Sequence, residues 1–261
     1  MTMERVKIGI PAYKEGLKSI DELLNGGIPR NNLVLVTGPT GSGKSILSLQ
    51  FLVNGAQKFG EKGMYISFEQ NKEDIIREAS TFNWDLKKLE REGKLRVISF
   101  RVMSEHAVSV NREIKNQIDS FKPERLVFDS LSSYIVSMET IGYLEILMDY
   151  DLERKSNVQI SPEMAMRRSI MELVETIKSA RITAFLISER SEESEYLSRD
   201  TISEFLVDGV LVLNFIGVGT EEFGTIQIRK MRHTKHAHTT YQTFITDEGM
   251  KIGEESIGTL R

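Results

Sequence analysis

The chain carries Gly38-Pro-Thr-Gly-Ser-Gly43-Lys44-Ser45 directly after the apolar run Leu33-Val-Leu-Val-Thr37. Residues 38–45 match the pattern G-x-x-x-x-G-K-[ST], in which glycines let successive backbone N–H groups surround a phosphate because no Cβ is in the way. The apolar run predicts a buried strand, and the apolar spacing from Ile46 to Ala56 predicts a helix. The sequence therefore predicts a strand, a phosphate-binding loop (the P-loop, residues 38–45) and a helix in succession.

The side chains of the P-loop indicate a nucleoside triphosphate bound with magnesium. Lys44 is expected to reach the β- and γ-phosphates of ATP and to act in catalysis, and the hydroxyl of Ser45 is expected to ligate Mg²⁺. The alternative is a glycine-rich turn that matches the pattern by chance, but such a turn needs no strand before it and no helix after it. The predicted nucleotide-binding set in this region is Gly38, Pro39, Thr40, Gly41, Ser42, Gly43, Lys44, Ser45 and Ile46.

Two carboxylates end predicted strands, at the sheet edge where α/β folds bind their ligands. Asp129 follows Leu126-Val-Phe128 and is predicted to hold Mg²⁺ through water, the Walker B role. Glu69 follows Tyr65-Ile-Ser-Phe68 and is predicted to be catalytic, because a carboxylate there can orient the attacking water or take its proton. The structural alternatives are that Asp129 caps the next turn and that Glu69 is an acid at a helix N-terminus.

Short apolar runs alternate with helical patterns along most of the chain, and strands follow without helices after residue 207. This order predicts an α/β fold with a mostly parallel sheet flanked by helices and with antiparallel C-terminal strands. No Pro/Gly/Ser-rich linker interrupts it, so residues 1–261 are expected to form one domain, with 137–162 as a partly helical excursion or mobile loop. Strands are predicted at 33–37, 64–68, 95–100, 126–128, 182–187, 210–213, 225–228 and 243–246, and helices at 46–56, 73–82, 110–121 and 164–180.

The composition narrows the range of functions. The chain has 261 residues and no cysteine, which excludes disulfides, zinc–thiolate sites, iron–sulfur clusters and cysteine nucleophiles. Lys and Arg number 34 against 38 Asp and Glu, and the formal net charge of −4 gives no overall basic field for nucleic acid. No apolar run approaches the roughly 20 residues that span a membrane, and the N-terminus has no apolar signal segment. These features predict a cytoplasmic protein with no membrane partner.

Several further segments match the motifs of one known group. Lys230-Met-Arg-His-Thr-Lys-His236 is followed by Ile245-Thr-Asp-Glu-Gly249, while Phe68-Glu-Gln70 and Phe128-Asp-Ser130 end two strands and Ile20-Asp-Glu-Leu-Leu-Asn-Gly-Gly-Ile-Pro29 precedes the P-loop. The first two are similar to Lys-(Met/Leu)-Arg-Gly-Thr-x-His and Ile-Thr-Asp-x-Gly, and the next two resemble a catalytic Phe-Glu-Glu and a Walker B Asp-Ser. On these segments, nearly the whole chain resembles the KaiC-like ATPases of the RecA superfamily.

The resemblance implies a homohexameric ring with ATP and Mg²⁺ at each subunit interface. By position in the motif, Lys230 and Arg232 are implied to act catalytically on the phosphates of a neighbouring subunit's ATP. The chain departs from the family at Gln70, which replaces a second glutamate, and at His233, where the family has glycine. The nucleotide contacts carried over in this way are Thr81, Lys230, Met231, Arg232, Thr234, His236, Thr246 and Asp247.

DNA is the main rival partner, because recombinases share this core. They bind DNA through loops that follow the Walker B strand and the next core strand, and acidic loops repel a phosphate backbone. Nucleic-acid binding is therefore expected to be weak or absent, and a solvated face is the simpler interpretation of these charges. The first loop region has Glu139, Glu145, Asp149, Asp151 and Glu153 against Arg154 and Lys155, and the second has Glu189, Glu192, Glu193, Glu195 and Asp200 against Arg190 and Arg199.

A histidine cluster offers a competing interpretation of the C-terminal motif. His233, His236 and His238 fall close together, as metal ligands often do. In an extended strand, however, residues 236 and 238 share a face and residue 233 lies on the other. No cysteine or nearby pair of acids completes a site, so the nucleotide pocket is the favoured interpretation.

Three classes of function remain open from the sequence. The first is a Mg²⁺-dependent P-loop ATPase that assembles into a ring and regulates, or signals to, a protein partner that the sequence does not identify. The second is an ATP-bound interaction module with low turnover, which Gln70 favours because an amide cannot take a proton. The third is a DNA-recombination ATPase or a recombinase paralogue.

Overall fold

The P-loop lies near the middle of the large sheet, where it connects a central strand to a helix. This computed structural model describes residues 3–100, 107–148, 162–190, 197–198, 200–218 and 221–256. Within those ranges the large sheet has nine strands, and a second sheet has two short strands. The strands are β1 (Arg5–Val6), β2 (Ile28–Pro29), β3 (Leu33–Gly38), β4 (Gly63–Ser67), β5 (Leu95–Ser99), β6 (Arg125–Asp129), β7 (Thr183–Glu189), β8 (Gly209–Val218), β9 (Glu221–Met231), β10 (Thr240–Thr246) and β11 (Gly249–Glu255).

One side of the large sheet is parallel, with the strand order β8-β3-β7-β6-β4-β5. The carboxyl ends of these strands lie at one edge, and there β3 continues into the P-loop. Every residue of β3 and β6 is buried, as expected for parallel strands that are covered on both faces. The mostly parallel sheet predicted from the sequence is confirmed.

The strands β9, β10 and β11 extend the sheet from β8 as an antiparallel ladder, which confirms the predicted C-terminal extension. The reversal of direction comes one strand later than the sequence indicates. The predicted strand at 210–213 belongs to β8, which is parallel to β3, with Gly209 opposite Val34, and antiparallel only to β9. The short helix Ser203–Leu206 lies in the connection that makes this parallel crossover possible.

Helices cover both faces of the large sheet, and each face has its own apolar core. Val34 and Val36 of β3 point into one core and Leu33 and Leu35 into the other, because side chains alternate along a strand. The helices between β3 and β5 pack on the first core, and those between β5 and β7 pack on the second. The α-helices of the described ranges are α1 (Ile20–Leu23), α2 (Lys44–Asn54), α3 (Lys72–Thr81), α4 (Leu86–Arg91), α5 (Ala107–Phe121), α6 (Leu131–Met148), α7 (Pro162–Ser179) and α8 (Ser203–Leu206), of which α1 precedes β3 and α8 follows β7.

Helix α6 covers the first part of the segment that the sequence marks as an excursion. It begins two residues after Asp129 and continues to Met148, so the excursion is helical at its start. Its apolar residues lie on all sides, which hides the helical period in the sequence. Residues 149–161 of the excursion lie outside the described residues. In the described ranges, α6 and the other helices are too short or too polar to cross a membrane.

Helix α2 ends in a wide π-turn, Gly55–Phe59, that makes room for a buried arginine. Arg125, at the start of β6, lies with its guanidinium carbon 4.6 Å from the ring centre of Phe51 and donates to the backbone oxygen of Phe51 at 2.8 Å. Its Nε also donates to the carboxylate of Glu61. A Cβ on Gly55 would lie 2.5 Å from Arg125, so only glycine fits against this side chain.

Candidate functional site

The backbone of the P-loop has the geometry that its glycines make possible. Gly41 and Gly43 have φ values of +82° and +90°, which other residues rarely adopt. A Cβ on Gly43 would also lie 2.8 Å from Cε of Met250 on β11, closer than real contacts allow. Helix α2 then begins at Lys44, and its first N–H groups, which have no acceptor within a helix, form a site suited to an anion.

Lys44 is folded back over the P-loop and is almost fully buried, with 7% of its surface exposed. Its Nζ donates hydrogen bonds to the carbonyl oxygens of Gly38 at 3.0 Å and of Pro39 at 2.7 Å. Burial lowers the pKa of Lys44, and nearby carboxylates, Glu189 foremost, oppose that shift. The ammonium is therefore held against the loop whose glycines would surround a phosphate.

Asp129 ends β6 and faces the start of α2. Its Oδ2 accepts hydrogen bonds from Ser45 Oγ at 3.0 Å and from the buried phenol of Tyr65. Its Oδ1 is buried and has no hydrogen-bond partner among the described residues. Burial raises the pKa of Asp129 to about 6, and the hydrogen bond from Tyr65 opposes this shift. One carboxylate oxygen is thus fixed, while the other is left without a protein donor.

Glu69 follows β4 and is held by two hydroxyls at the start of α6. Its Oε1 accepts hydrogen bonds from Ser130 Oγ and from Ser133 Oγ, the latter at 2.9 Å. The neighbouring Gln70 donates through its backbone N–H to Ser67 Oγ at 2.9 Å. The carboxylate of Glu69 therefore has a defined position that depends on α6 as well as on its own strand.

These groups meet in one cavity of about 290 Å³ at the carboxyl edge of the parallel strands. Among the residues that line it there are four carboxylates and one cation, Lys44. A bound triphosphate would add further negative charge, so the cavity as it stands lacks the positive charge that such a ligand needs. The lining residues are Thr40, Gly41, Gly43, Lys44, Ser45, Ile46, Glu69, Gln70, Glu78, Asp129, Ile187 and Glu189.

The basic C-terminal motif, residues 230–236, lies at the opposite end of the strands from this cavity, near the amino end of β3. Met231, the last residue of β9, pairs with Gly209, and Gly209 pairs with Val34 of β3. The P-loop begins four residues after Val34, at Gly38, and a strand rises about 3.3 Å per residue. Residues 230–232 are therefore displaced by about 13 Å along the strands from the start of the P-loop in the same chain.

Lys230 and Arg232 both turn toward the segment that precedes β8. Lys230 Nζ donates to the backbone oxygens of Glu204 at 3.1 Å and Val207 at 2.7 Å. Arg232 Nη1 lies 3.1 Å from Oδ1 of Asp208. Burial lowers the pKa of Lys230, and the positive charge of Arg232 adds to that shift. Two cations therefore lie side by side at this edge.

The other residues of the motif are placed differently from one another. The side chain of Met231 is buried within the chain, so it is not available for the predicted contact with a nucleotide. Thr234 Oγ1 accepts from Arg5 Nη1 at 3.1 Å, and His236 Nδ1 lies 2.8 Å from the backbone oxygen of Ala237. Thr234 and His236 are both partly exposed.

Thr246 and Asp247 lie at the cavity edge instead, because β10 runs back toward it. The preceding Ile245 would approach a Cβ on Gly43 to 3.6 Å, which places the turn between β10 and β11 beside the P-loop. Thr81 is exposed at the end of α3, and the cavity-lining residue of that helix is Glu78. The predicted set is thus divided between two edges of the sheet.

Several residues of the site are absent from the sequence-based set. Glu189 ends β7 as Glu69 and Asp129 follow or end their strands, so the rule that ligands bind at strand carboxyl ends could have found it. Ser130 is part of the Phe128-Asp-Ser130 segment, but that resemblance assigns it no contact with Glu69, and Ser133 carries no recognisable pattern. Tyr65 lies on β4 and has no motif of its own, because its role depends on which side chain lies across the strand.

The histidines of the motif do not converge on a metal site. His236 and His238 have ring centres 4.6 Å apart, whereas His233 occupies a turn with a φ of +58°. Over the ranges that the structure describes, there is no group of three His, Cys, Asp or Glu side chains that could hold a metal ion.

Comparisons with known proteins place these features in context. The family described as "ATPase: KaiC" matches residues 13–148 and 154–257 of the chain. A circadian clock oscillator protein KaiC of Parathermosynechococcus lividus is 31% identical over 94% of this chain and 42% of its own length. Another from Nostoc sp. is 29% identical over 94% and 44%. The chain therefore spans less than half the length of these curated relatives.

A solved structure matches over a comparable length. The crystal structure of a KaiC-like protein from the hyperthermophilic archaeon Pyrococcus horikoshii is 30% identical to this chain, with a TM-score of 0.77. The match covers 96% of this chain and 99% of that one. The similarity thus extends over one whole chain of this size.

Proposed function

The chain belongs to the KaiC family of ATPases, and on that premise we propose that it binds and hydrolyses ATP with Mg²⁺ in a ring of identical subunits. Each nucleotide lies between two subunits, and hydrolysis serves to regulate a protein partner. The observation that carries the proposal is the single cavity that joins Lys44, Ser45, Asp129 and Glu69 at the carboxyl edge of the sheet. This is the set of groups that phosphoryl transfer requires.

The triphosphate is held by the P-loop. The backbone N–H groups of residues 41–45 and the start of α2 surround the phosphates, and Lys44 turns from the carbonyl oxygens of Gly38 and Pro39 to the β- and γ-phosphates. The chemistry at this point is electrostatic, because a positioned ammonium offsets charge that develops on the phosphate oxygens.

The residues around Asp129 suit magnesium. Oδ1 of Asp129 is a buried oxygen without a donor in the described residues, and the hydroxyl of Ser45 lies 3.0 Å from Oδ2. Oxygen ligands from one carboxylate and one hydroxyl are the kind that Mg²⁺ uses beside phosphates. When bound, Mg²⁺ would supply the positive charge that the four carboxylates of the cavity require. Ser45 would bind it directly and Asp129 through water.

Glu69 is the group that acts on the attacking water. Its carboxylate lines the same cavity, and the hydroxyls of Ser130 and Ser133 hold it in place. It orients the water and accepts its proton, while Gln70 can only orient water because an amide takes no proton. Loss of a general base of this kind typically costs about 10²–10⁴-fold in rate.

Lys230 and Arg232 serve the cavity of the next subunit. They lie about 13 Å along the strands from their own P-loop, too far to touch the same nucleotide's phosphates. The cavity has one cation among its lining residues and lacks the positive charge that a neighbour could provide. In a ring, the basic edge of one subunit faces the cavity edge of the next, and the two cations stabilise the transition state as an arginine finger does.

A second function, an ATP-bound module with low turnover, is favoured by one observation. Both hydroxyls that contact Glu69 donate to the same carboxylate oxygen, Oε1, so the protein already occupies hydrogen-bonding positions on that oxygen that the attacking water would use. Gln70 supplies no second base. Such a protein would bind ATP and assemble as proposed, but it would release phosphate only slowly.

The test is ATP binding and phosphate release measured on the same preparations of three proteins. Wild type should bind and hydrolyse. Lys44→Ala should lose affinity for ATP, because the ammonium at the phosphates is gone. Glu69→Gln should keep its affinity but lose about 10²–10⁴-fold in turnover. Glu73→Gln, an exposed acid on α3, is the matched control and should behave as wild type.

The outcomes separate the candidates. A wild-type protein that binds ATP tightly yet releases phosphate no faster than Glu69→Gln is the low-turnover module. Undiminished binding and turnover in a folded Lys44→Ala protein would show that the P-loop is not the nucleotide site.

A further inference from the structure

Tyr65 places a buried hydroxyl against the acid that ends β6. It lies on β4, which is paired with β6 in parallel register, with Tyr65 opposite Val127 and Ser67 opposite Asp129. The tyrosine is 2% exposed, and its phenol donates a hydrogen bond to Oδ2 of Asp129. Tyr65 is not among the residues that line the cavity, so it contacts the carboxylate without lining the cavity itself.

Both protein donors to Asp129 end on the same oxygen. Ser45 Oγ donates to Oδ2 at 3.0 Å, as Tyr65 does, while Oδ1 is buried without a donor from any residue that the structure describes. A carboxylate with free rotation would offer both oxygens equally. The two donors instead fix which oxygen is bound to the protein and which remains available.

Ser45 can keep its hydrogen bond to Oδ2 when its oxygen binds Mg²⁺, because coordination uses a lone pair and leaves the O–H free to donate. Tyr65 is the other protein donor to Oδ2, and it has no part in coordinating the metal. A plain core tyrosine would need only some acceptor for its hydroxyl, and the backbone offers many. The buried Tyr134 shows that ordinary arrangement, since its hydroxyl lies 2.8 Å from the side chain of Asn111 and 3.3 Å from the backbone oxygen of Ser169.

We propose that Tyr65 is a positioning residue for the magnesium site: its hydroxyl holds Oδ2 of Asp129 so that Oδ1 faces the metal's water shell. This rests on the proposed function, because it assumes that Asp129 serves Mg²⁺. Outer-shell residues that hold the groups around a metal typically contribute about 10–100-fold to metal affinity. Tyr65 itself touches neither the nucleotide nor the metal.

The experiment measures nucleotide binding rather than turnover. A fluorescent ATP analogue is titrated with wild type and with Tyr65→Phe, first in EDTA and then over a range of Mg²⁺ concentrations. Tyr65→Phe removes one oxygen atom and keeps the ring in place. We expect equal affinity in EDTA and a half-saturating Mg²⁺ concentration about 10-fold or more higher for the variant.

Two further variants make the result specific. Tyr134→Phe removes an equally buried hydroxyl that does not contact Asp129, and its Mg²⁺ dependence should match wild type. In an Asp129→Asn background, Tyr65→Phe should produce no further shift, because the two residues act through one contact. If Tyr65→Phe does not fold, Tyr65→Met fills the same space without a hydroxyl and faces the same criterion.

The proposal is overturned if a folded Tyr65 variant has the half-saturating Mg²⁺ of wild type, or if Tyr134→Phe shifts it equally. Failure of the proposed function is a different result. In that case wild type itself would bind the nucleotide analogue without any dependence on Mg²⁺, or would not bind it.

Discussion

At the scale of single residues, the chemistry depends on a charged group in an unfavourable place. In the proposed function Asp129 has to be ionised to help hold Mg²⁺, yet its burial disfavours the charge and raises its pKa to about 6. The hydroxyls of Tyr65 and Ser45 offset only part of that cost. Without a bound metal ion, the ionised Asp129 therefore lowers the free energy of unfolding, and this effect can be measured.

We predict that Asp129→Asn gains stability relative to wild type as pH rises. The folded protein binds a proton at Asp129 more tightly than the unfolded chain does, so wild type loses stability as pH rises from about 4 to about 6. The difference between 3.8 and about 6 corresponds to about 3 kcal/mol. Urea unfolding of both proteins in EDTA, at pH 4 and pH 7, measures it.

The control for this prediction is Glu73→Gln, which makes the equivalent acid-to-amide change at an exposed position away from Asp129. A stability difference for Asp129→Asn that stays constant from pH 4 to pH 7 would contradict the assignment of a raised pKa.

At the scale of elements, two turns constrain the residues within them: the turn after β9, which contains His233, and the π-turn after α2, which contains Gly55. His233 follows β9 with a φ of +58°, the left-handed region, in a position where the resembling family has glycine. The turn is therefore kept, although a side chain has replaced the residue that adopts it most easily. His233 is therefore explained by a backbone conformation that the turn requires, and its imidazole ring is not part of a metal site in the described residues.

We predict that His233→Gly leaves the midpoint of thermal unfolding unchanged or slightly raised, while His233→Val lowers it by about 2–4 °C. A β-branched residue at positive φ is strained by about 1–2 kcal/mol, and glycine is not. Thermal unfolding followed by circular dichroism measures both. A glycine variant as unstable as the valine variant would mean that the imidazole itself supports the turn.

The π-turn after α2 gives a second prediction at this scale. Gly55→Ala should lower the free energy of unfolding by about 1–3 kcal/mol, because the new Cβ would lie 2.5 Å from the buried Arg125. Denaturant unfolding measures the change. In an Arg125→Met background the same substitution should lower the free energy of unfolding clearly less. Equal losses in the two backgrounds would show that the effect of Gly55→Ala does not arise from contact with Arg125.

The elements themselves could largely be predicted, and the exceptions have physical reasons. Buried parallel strands such as β3 and β6 stand out as short apolar runs, and the helix that became α7 has a regular apolar stripe. Helix α6 lacks such a stripe because its apolar residues lie on all sides. The strand β11 was missed because its glycines and charges weaken the pattern, although Met250 and Ile252 are fully buried.

At the scale of the whole molecule, the two halves of the proposed active site lie on opposite edges of one sheet. The P-loop motif could be assigned from the sequence because a strand and a helix frame it. The sheet edge of Lys230 could not, since it depends on the register of β9 against β8 and of β8 against β3. The hydroxyl contacts of Glu69 likewise depend on where α6 begins.

We predict that two nearly inactive variants restore activity when they are mixed. Lys44→Ala subunits bind ATP poorly but retain the basic edge, and Lys230→Ala/Arg232→Ala subunits bind ATP but lack it. If sites are shared, some interfaces in the mixture pair an intact P-loop with intact cations. Phosphate release from the mixture, compared with the sum of the separate proteins, measures the rescue.

The control is a mixture of Lys44→Ala with Glu69→Gln. Both changes lie on the cavity edge, so no interface can combine an intact cavity from these two proteins and no rescue is expected. Absence of rescue in the first mixture, despite subunit exchange demonstrated by native mass spectrometry, would contradict the shared site.

Each subunit has its cavity at one edge of the sheet and its basic residues, Lys230 and Arg232, at the other. In the proposed assembly, the number of complete sites therefore depends on whether the subunits form a closed ring. In an open row of subunits joined head to tail, one cavity at one end has no neighbouring cations, and the basic edge at the other end faces no cavity. In a closed ring every cavity faces the basic edge of a neighbour. If the proposed shared site is correct, the activity per subunit should rise with protein concentration and level off once rings close. A single subunit without Lys230 and Arg232 would inactivate only the cavity of the neighbour that it faces, and the other subunits of the ring would stay active.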